Sequence, residues 1–268
     1  MPDNFFGGLD FGTSGARISI INKHKELIYS NSVLYKYSFK NPSSWIYSLE
    51  KLLESLPIEV KSYLDRLAIS GTSGTLIAVN SKGAPLGEAI PYDQACDENK
   101  ILIESLTSQE DHLRTPYSSL AKALNLIDKY GTKILLRHQS DWITGWFLKD
   151  WTHGEESNNF KLGWDLIKES WPKSYLNTSW KKCLPQIIKS GQIIGQVDSG
   201  IAESFKLNKK LILISGTTDS NASLIAAGLG KEDGLTVLGT TIVVKKIINN
   251  PIKEKGITTH KVNGNWIC

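Results

Sequence analysis

The chain has 268 residues, 40% of them apolar, and its 31 Lys and Arg against 27 Asp and Glu give a formal net charge of +4. That length holds one large domain or two modest ones, each with its own core, and a nearly balanced charge with scattered Lys excludes an electrostatic nucleic-acid binder. The cysteines, Cys96, Cys183 and Cys268, stand far apart and, like the five His, show no metal-ligand spacing, so no structural metal and a reducing compartment, the cytoplasm, are expected.

The start, Met1 to Phe6, lacks a basic region, so no signal peptide is expected. No apolar run approaches the ~20 residues of a membrane span. Alternating apolar residues predict strands over 5–9, 16–22 and 26–35, with Gly12 to Gly15 and Asn22-Lys23 as the turns. Glycines let the first turn tighten and aim successive N–H groups into a concave anion site, and threonine hydroxyls add uncharged donors. Asn41-Pro42-Ser43-Ser44 carries capping chemistry and opens a helix with Trp45, Leu49, Leu52 and Leu53 at helical spacing, stopped by Pro57. Strands over 66–70 and 75–79 then flank the polar turn Gly71-Thr72-Ser73-Gly74.

From Asp97 to about Lys189 helical spacing dominates, as in Leu120/Ala123/Leu124/Ile127 and Trp142/Ile143/Trp146/Phe147, and the segment reads as a helical insertion or wall. Most of the tryptophans fall there and read as core rather than a binding platform. Residues 191–198 read as a loop with short extended pieces, 211–214 as a buried strand, 222–227 as a helix, and 235–238 with 241–248 as a hairpin. The hairpin turn, Gly239-Thr240-Thr241, repeats the chemistry of the first glycine-threonine turn.

Between the two turns, Ser215-Gly216-Thr217-Thr218-Asp219-Ser220 places a carboxylate where a helix begins. A lone Asp there is ordinarily an N-cap. With two anion-holding turns in the same chain, the set suggests a nucleotide clamp with a carboxylate at work inside it. No Walker A, GxGxxG or His-Arg-Asp loop accompanies it, which sets aside the P-loop, dinucleotide and protein-kinase readings. The second hairpin starts about thirty residues before Cys268, too few to build a domain around it, so the second half is expected to be truncated. The apolar faces of 235–238 and 242–244 are then expected to lack a partner sheet and to be exposed.

Gly8-Leu9-Asp10-Phe11-Gly12-Thr13-Ser14-Gly15 resembles the first phosphate motif of the FGGY carbohydrate kinases, within the actin/Hsp70/sugar-kinase superfamily. Ser215 to Ser220 with the small-residue helix after it, and Leu238 to Thr241 as the second phosphate motif, carry the same resemblance, which runs through almost the whole chain. Ile69 to Thr75, Asp141 to Gly145 and Ser157 to Asp165 are most similar to the D-ribulose/D-xylulose kinase branch of cyanobacteria and plastids.

The resemblance implies an α/β fold: a ribonuclease-H-like, actin-like ATPase domain with helical insertions over 1–214, holding the sugar, and the truncated start of a second such domain over 215–268, holding ATP. It implies ATP and Mg²⁺ as cofactors and a ketopentose as the small-molecule partner, phosphorylated to the 5-phosphate, with no nucleic acid and no membrane. Asp219 is implied to be the general base, and Asp10 to orient Mg²⁺ through water and to meet both sugar and transferred phosphate. Gly12, Thr13 and Ser14 with Gly239, Thr240 and Thr241 are implied to hold the nucleotide phosphates, and Ser73, Asp93 and Ser220 the sugar. The chain departs from the family pattern at Asn125, where Trp is usual, and at Ala95, where Arg is common. The family's adenosine-holding segment is expected beyond Cys268. A catalytically inactive sugar-binding remnant and a kinase of another polyol, glycerol or a hexose, are the other readings; the oligomeric state is left open.

Overall fold

The computed structural model describes residues 4–108, 111–230, 233–238, 242–252, 254, 257–262 and 264–268. β1 (Phe5–Phe11), β2 (Gly15–Ile21) and β3 (Leu27–Leu34) form an antiparallel meander. Ala16, Ile18 and Ile20 of β2 are buried while Arg17 and Ser19 are exposed, the alternation of a sheet with one covered face. The Asn41 side chain accepts from Ser43 N at 2.9 Å and starts α1 (Pro42–Ser55), which buries Trp45, Leu49, Leu52 and Leu53. Pro57 ends that helix as expected and then caps a short one, α2 (Ile58–Tyr63), that the sequence reading did not contain.

β4 (Leu64–Gly71) runs parallel to β1, and β5 (Leu76–Val79) follows the 71–74 turn. The middle of the chain contains α3 (Lys100–Leu106), α4 (Ser119–Tyr130), β6 (Leu135–His138), α5 (Gln139–Leu148), β7 (His153–Glu155), α6 (Glu156–Phe160), α7 (Lys173–Leu176) and β8 (Gln186–Ile188). The expected helical wall is therefore interrupted by strands: β6 pairs with β5, and β7 with β8. Strands of three or four residues are too short to leave a readable period. Then come β9 (Ile193–Gln196), α8 (Ser199–Phe205), β10 (Ile212–Thr218), α9 (Asp219–Ala226), β11 (Gly234–Leu238), β12 (Ile242–Ile248), β13 (His260–Val262) and β14 (Asn265–Ile267).

The main sheet has the order β3-β2-β1-β4-β10-β9, and a second sheet has the order β11-β12-β14-β13. β10 lies wholly in the main sheet, parallel to β4, so the boundary expected after 214 falls inside a strand. Its register slips between Ile214 and Thr217, and the slip needs Gly216: a Cβ there would stand 1.9 Å from Ile69 O. As a result Asp10, Ser70 and Thr217 form one row across β1, β4 and β10. α1 and α5 meet over the core of this sheet, where Trp45 and Trp142 pack edge to face at 5.7 Å. A second apolar cluster surrounds α4. Leu238, Ile242 and Val244 of the β11–β12 hairpin are 77%, 71% and 67% exposed, the open apolar face expected there. Among the described residues no helix is long and apolar enough to cross a membrane.

Candidate functional site

β1, β4 and β10 are parallel, so the segments that follow them emerge at one edge of the sheet, where open α/β sheets bind ligands. After β1 comes the first glycine-threonine turn, after β4 the 71–74 turn, and after β10 the N-terminus of α9. Sheet topology thus gathers three segments widely separated in sequence.

Asp10 sits at the edge of the row, half-buried, and its Oδ1 accepts from the Ser70 hydroxyl at 2.8 Å. The adjoining turn is pinned from two sides. Gly12 N donates to Gly15 O at 3.0 Å, the Tyr35 hydroxyl donates to Gly12 O at 2.8 Å, and Tyr35 N donates to Ser14 O at 3.0 Å. Gly15 is obligatory because a Cβ would meet Val33 O at 2.4 Å. Thr13 and Ser14 are exposed. Gly239, Thr240 and Thr241, the second such turn, lie outside the described residues.

The 71–74 turn is held from beneath by Gln139, fully buried at the start of α5, whose Oε1 accepts from Thr72 N at 2.9 Å and from the Thr72 hydroxyl at 2.8 Å. Ser73 is half-buried at the turn's crest. Asp93 is exposed on a later loop, tied to this turn only through its neighbour Tyr92, whose N donates to the Thr75 hydroxyl at 3.2 Å. The structure therefore brings Asp10, Gly12, Thr13, Ser14, Ser73, Asp219 and Ser220 to one edge and leaves Asp93 at its margin.

Asp219 is the first residue of α9 and not its cap. Thr218 does the capping, its hydroxyl accepting from Asn221 N at 3.2 Å. Relieved of that task, the Asp219 carboxylate accepts from Ser220 N at 2.7 Å and is half-buried. Burial raises its pKa above the ordinary aspartate value, the Ser220 N–H opposes this, and the neighbouring Asp10 charge reinforces it. The Lys161 charge and the Ser73 N–H pull in the other direction. Ser220 itself is exposed, and its carbonyl accepts from Lys245 Nζ at 2.7 Å.

Lys161, Lys245, Tyr35 and Gln139 are site residues that sequence reasoning missed. Lys245 is a buried position between exposed Val244 and Lys246 on β12. Burial lowers its pKa to about 8. None of the four carries a local pattern, because contacts between residues more than 20 apart in the chain set their roles. Among the described residues no group of three His, Cys, Asp or Glu could enclose a metal. Of the groups gathered at this edge, the Asp10 carboxylate is the kind of anionic oxygen that a hard cation could take as a ligand.

The description "FGGY family of carbohydrate kinases, N-terminal domain" matches residues 5–226. The chain is 26% identical over 264 residues to a xylulose kinase of Lactococcus lactis, covering 88% of this chain and 52% of that protein. To a xylulose kinase of Haemophilus influenzae it is 25% identical over 282 aligned residues, covering 91% and 56%. The crystal structure of ligand-bound xylulose kinase from Lactobacillus acidophilus superposes with a TM-score of 0.84 at 14% identity, over 98% of this chain and 59% of that one, which shows a shared actin-like fold. The chain spans about half the length of these relatives. The family match runs from β1 through α9, the stretch that carries the Asp10 row, the 12–15 and 71–74 turns and Asp219, and the chain belongs to the FGGY family of carbohydrate kinases.

Proposed function

We propose that this site transfers the γ-phosphoryl group of ATP to the terminal hydroxyl of a ketopentose, D-ribulose or D-xylulose, giving the 5-phosphate. The observation that carries this reading is Asp219: a half-buried carboxylate at a helix start, freed by the Thr218 cap and set beside Asp10 at the carboxyl edge of the sheet. Asp219 accepts the proton of the attacking hydroxyl, a role generally worth ~10²–10⁴ in rate. Ser73 and Ser220 orient the sugar with uncharged groups that can donate or accept, and Asp93 reaches it from the margin. Asp10, steadied by Ser70, anchors Mg²⁺ through water, Gly12, Thr13 and Ser14 line the γ-phosphate, and Gly239, Thr240 and Thr241 supply the second phosphate motif. Bound MgATP supplies the phosphoryl group and the neutralising charge, so the protein's part is positioning. In this reading 1–214 mainly serves the sugar and 215–268 mainly the nucleotide, in the cytoplasm, where the free thiols of Cys96, Cys183 and Cys268 persist.

The alternative reading is sugar binding without phosphoryl transfer. A coupled ADP-release assay separates the two, run with ATP, Mg²⁺ and D-ribulose, D-xylulose, L-ribulose, D-ribose or glycerol, with Asp219→Ala as control. ADP release that depends on one ketopentose and is lost in the variant supports transfer. Silence with every sugar, while a ketopentose still raises the melting temperature, supports binding without transfer. ADP release with glycerol alone overturns the ketopentose assignment.

A further inference from the structure

We propose that Lys161 is a substrate-contacting residue that donates to the ketone oxygen of an open-chain pentulose; this rests on the ketopentose reading above. Lys161 follows α6, and its backbone is fixed on both sides, its N donating to Asn158 O at 3.2 Å and its O accepting from Ser119 N at 3.0 Å. α6 is itself anchored to α5, since Asp141 Oδ1 accepts from Glu155 N at 2.9 Å and Asp141 Oδ2 from Asn159 Nδ2 at 3.0 Å. From this rigid base the side chain runs across the 71–74 turn. Gly74, at φ +92°, makes room for it: the Lys161 Cδ lies 3.3 Å and the Nζ 3.9 Å from where a Cβ on Gly74 would stand.

The ammonium ends beside Ser73, and burial lowers its pKa while the Asp219 charge holds it up. Its one hydrogen bond among the described residues is a long one, to Ser73 O at 3.4 Å. The other lysines around the site differ. Lys245 donates to Ser220 O at 2.7 Å and to Asn221 Oδ1 at 3.1 Å. Lys122 donates to the carbonyls of Tyr92 and Tyr117. An ammonium has three donors, and those of Lys161 are the ones left largely unused in a place poorly reached by water. Such donors are costly unless an oxygen arrives to meet them.

The chemistry of the substrate says which oxygen. A 2-ketopentose closes its ring through the same terminal hydroxyl that is to be phosphorylated, so the acceptor must be the open-chain form with its ketone exposed. A ketone oxygen only accepts and an ammonium only donates, whereas the serine hydroxyls of the site pair equally well with alcohols. The C2 hydroxyl of the corresponding alditol could accept from Lys161 too, but it brings a proton that an ammonium cannot accept, so Lys161 favours the pentulose.

The test compares affinities of the full chain and its Lys161→Met and Lys161→Arg variants for D-ribulose, ribitol, D-xylulose and xylitol. Calorimetry measures the affinities, and thermal melting confirms folding of each variant. The wild-type chain is expected to bind its preferred pentulose more tightly than the alditol. Lys161→Met should lose about 10- to 100-fold for the pentulose, the scale of a hydrogen bond to a charged group, with the alditol little changed; Lys161→Arg should retain part of the preference. Equal loss for both ligand classes, or no loss for either, in a folded Lys161→Met variant overturns the assignment while leaving the ketopentose reading intact. Failure of the wild-type chain to bind any pentulose overturns that reading, and this inference with it.

Discussion

The hydroxyl of Ser70 donates to Oδ1 of Asp10 across 2.8 Å, joining β4 to β1 at the level where both strands reach the site. Ser70 is nearly buried, so this bond works out of the reach of competing water. Hydrogen bonds to charged groups are worth about 1.5–3 kcal/mol. Ser70→Ala is therefore expected to slow phosphoryl transfer about 10- to 100-fold while sugar affinity stays within about twofold. Single-turnover ADP formation and sugar calorimetry check the two halves of that expectation.

Asp219 should titrate above the ordinary aspartate value of ~3.9, because burial and the Asp10 charge both disfavour its anion. Following its carboxyl carbon by NMR, the midpoint should fall in Asp10→Asn and rise in Lys161→Met. A raised folded-state pKa means that Asp219's contribution to stability is fully present below its unfolded value and is lost as pH rises through the folded one. Denaturation at a series of acidic pH values should accordingly show a shallower loss in Asp219→Asn than in the parent chain. An unshifted midpoint would contradict the burial seen here.

Gly216 and Gly8 make an internal contrast. A Cβ at 216 would collide with Ile69 O at 1.9 Å, whereas one at 8 meets nothing within 4 Å. Gly216→Ala is expected to cost about 2–4 kcal/mol by prising β10 from β4, and Gly8→Ala to be neutral or stabilising by about 0.5–1 kcal/mol. Urea unfolding of the two variants decides the matter.

Leu238 and Ile242, 77% and 71% exposed, lie on the open hairpin face with Val244. Apolar patches of this kind on a strand pair invite self-association. Dynamic light scattering of the purified chain should show association, relieved in Leu238→Lys/Ile242→Lys with an unchanged melting temperature. A stable, non-associating parent monomer would count against this.

The meander, the capped helix after Asn41 and the hairpin of β11 and β12 were all legible because each is a local pattern: alternation, capping chemistry, glycine punctuation. Asp219 was legible as a carboxylate at a helix start, but its freedom from capping was not, since Thr218 and Asp219 are both competent caps and only the geometry assigns the task to Thr218. α8 went unread because its seven residues, capped by Asp198, are too few to show a helical period. The lysines were the least visible part of the site. A lysine's placement beside a carboxylate depends on sheet order and on a glycine in a distant turn, and neither has a local signature.

The irregular step in β10 also acts as a ruler. Three residue steps of β10, from Ile214 to Thr217, cover the span that two steps of β4 cover, from Ala68 to Ser70. If β10 instead paired regularly beyond Ile214, Gly216 would stand opposite Ser70, the helix after β10 would begin about 3.3 Å further along the strand direction, and every side chain beyond the slip would change faces. Asp219 would then overshoot Asp10 and point away from the Ser73 turn, although the sheet itself could still form. The aim of the carboxylate is thus written in a count of backbone units, and inserting one residue between Thr217 and Thr218 should yield a folded protein whose Asp219 faces the wrong way.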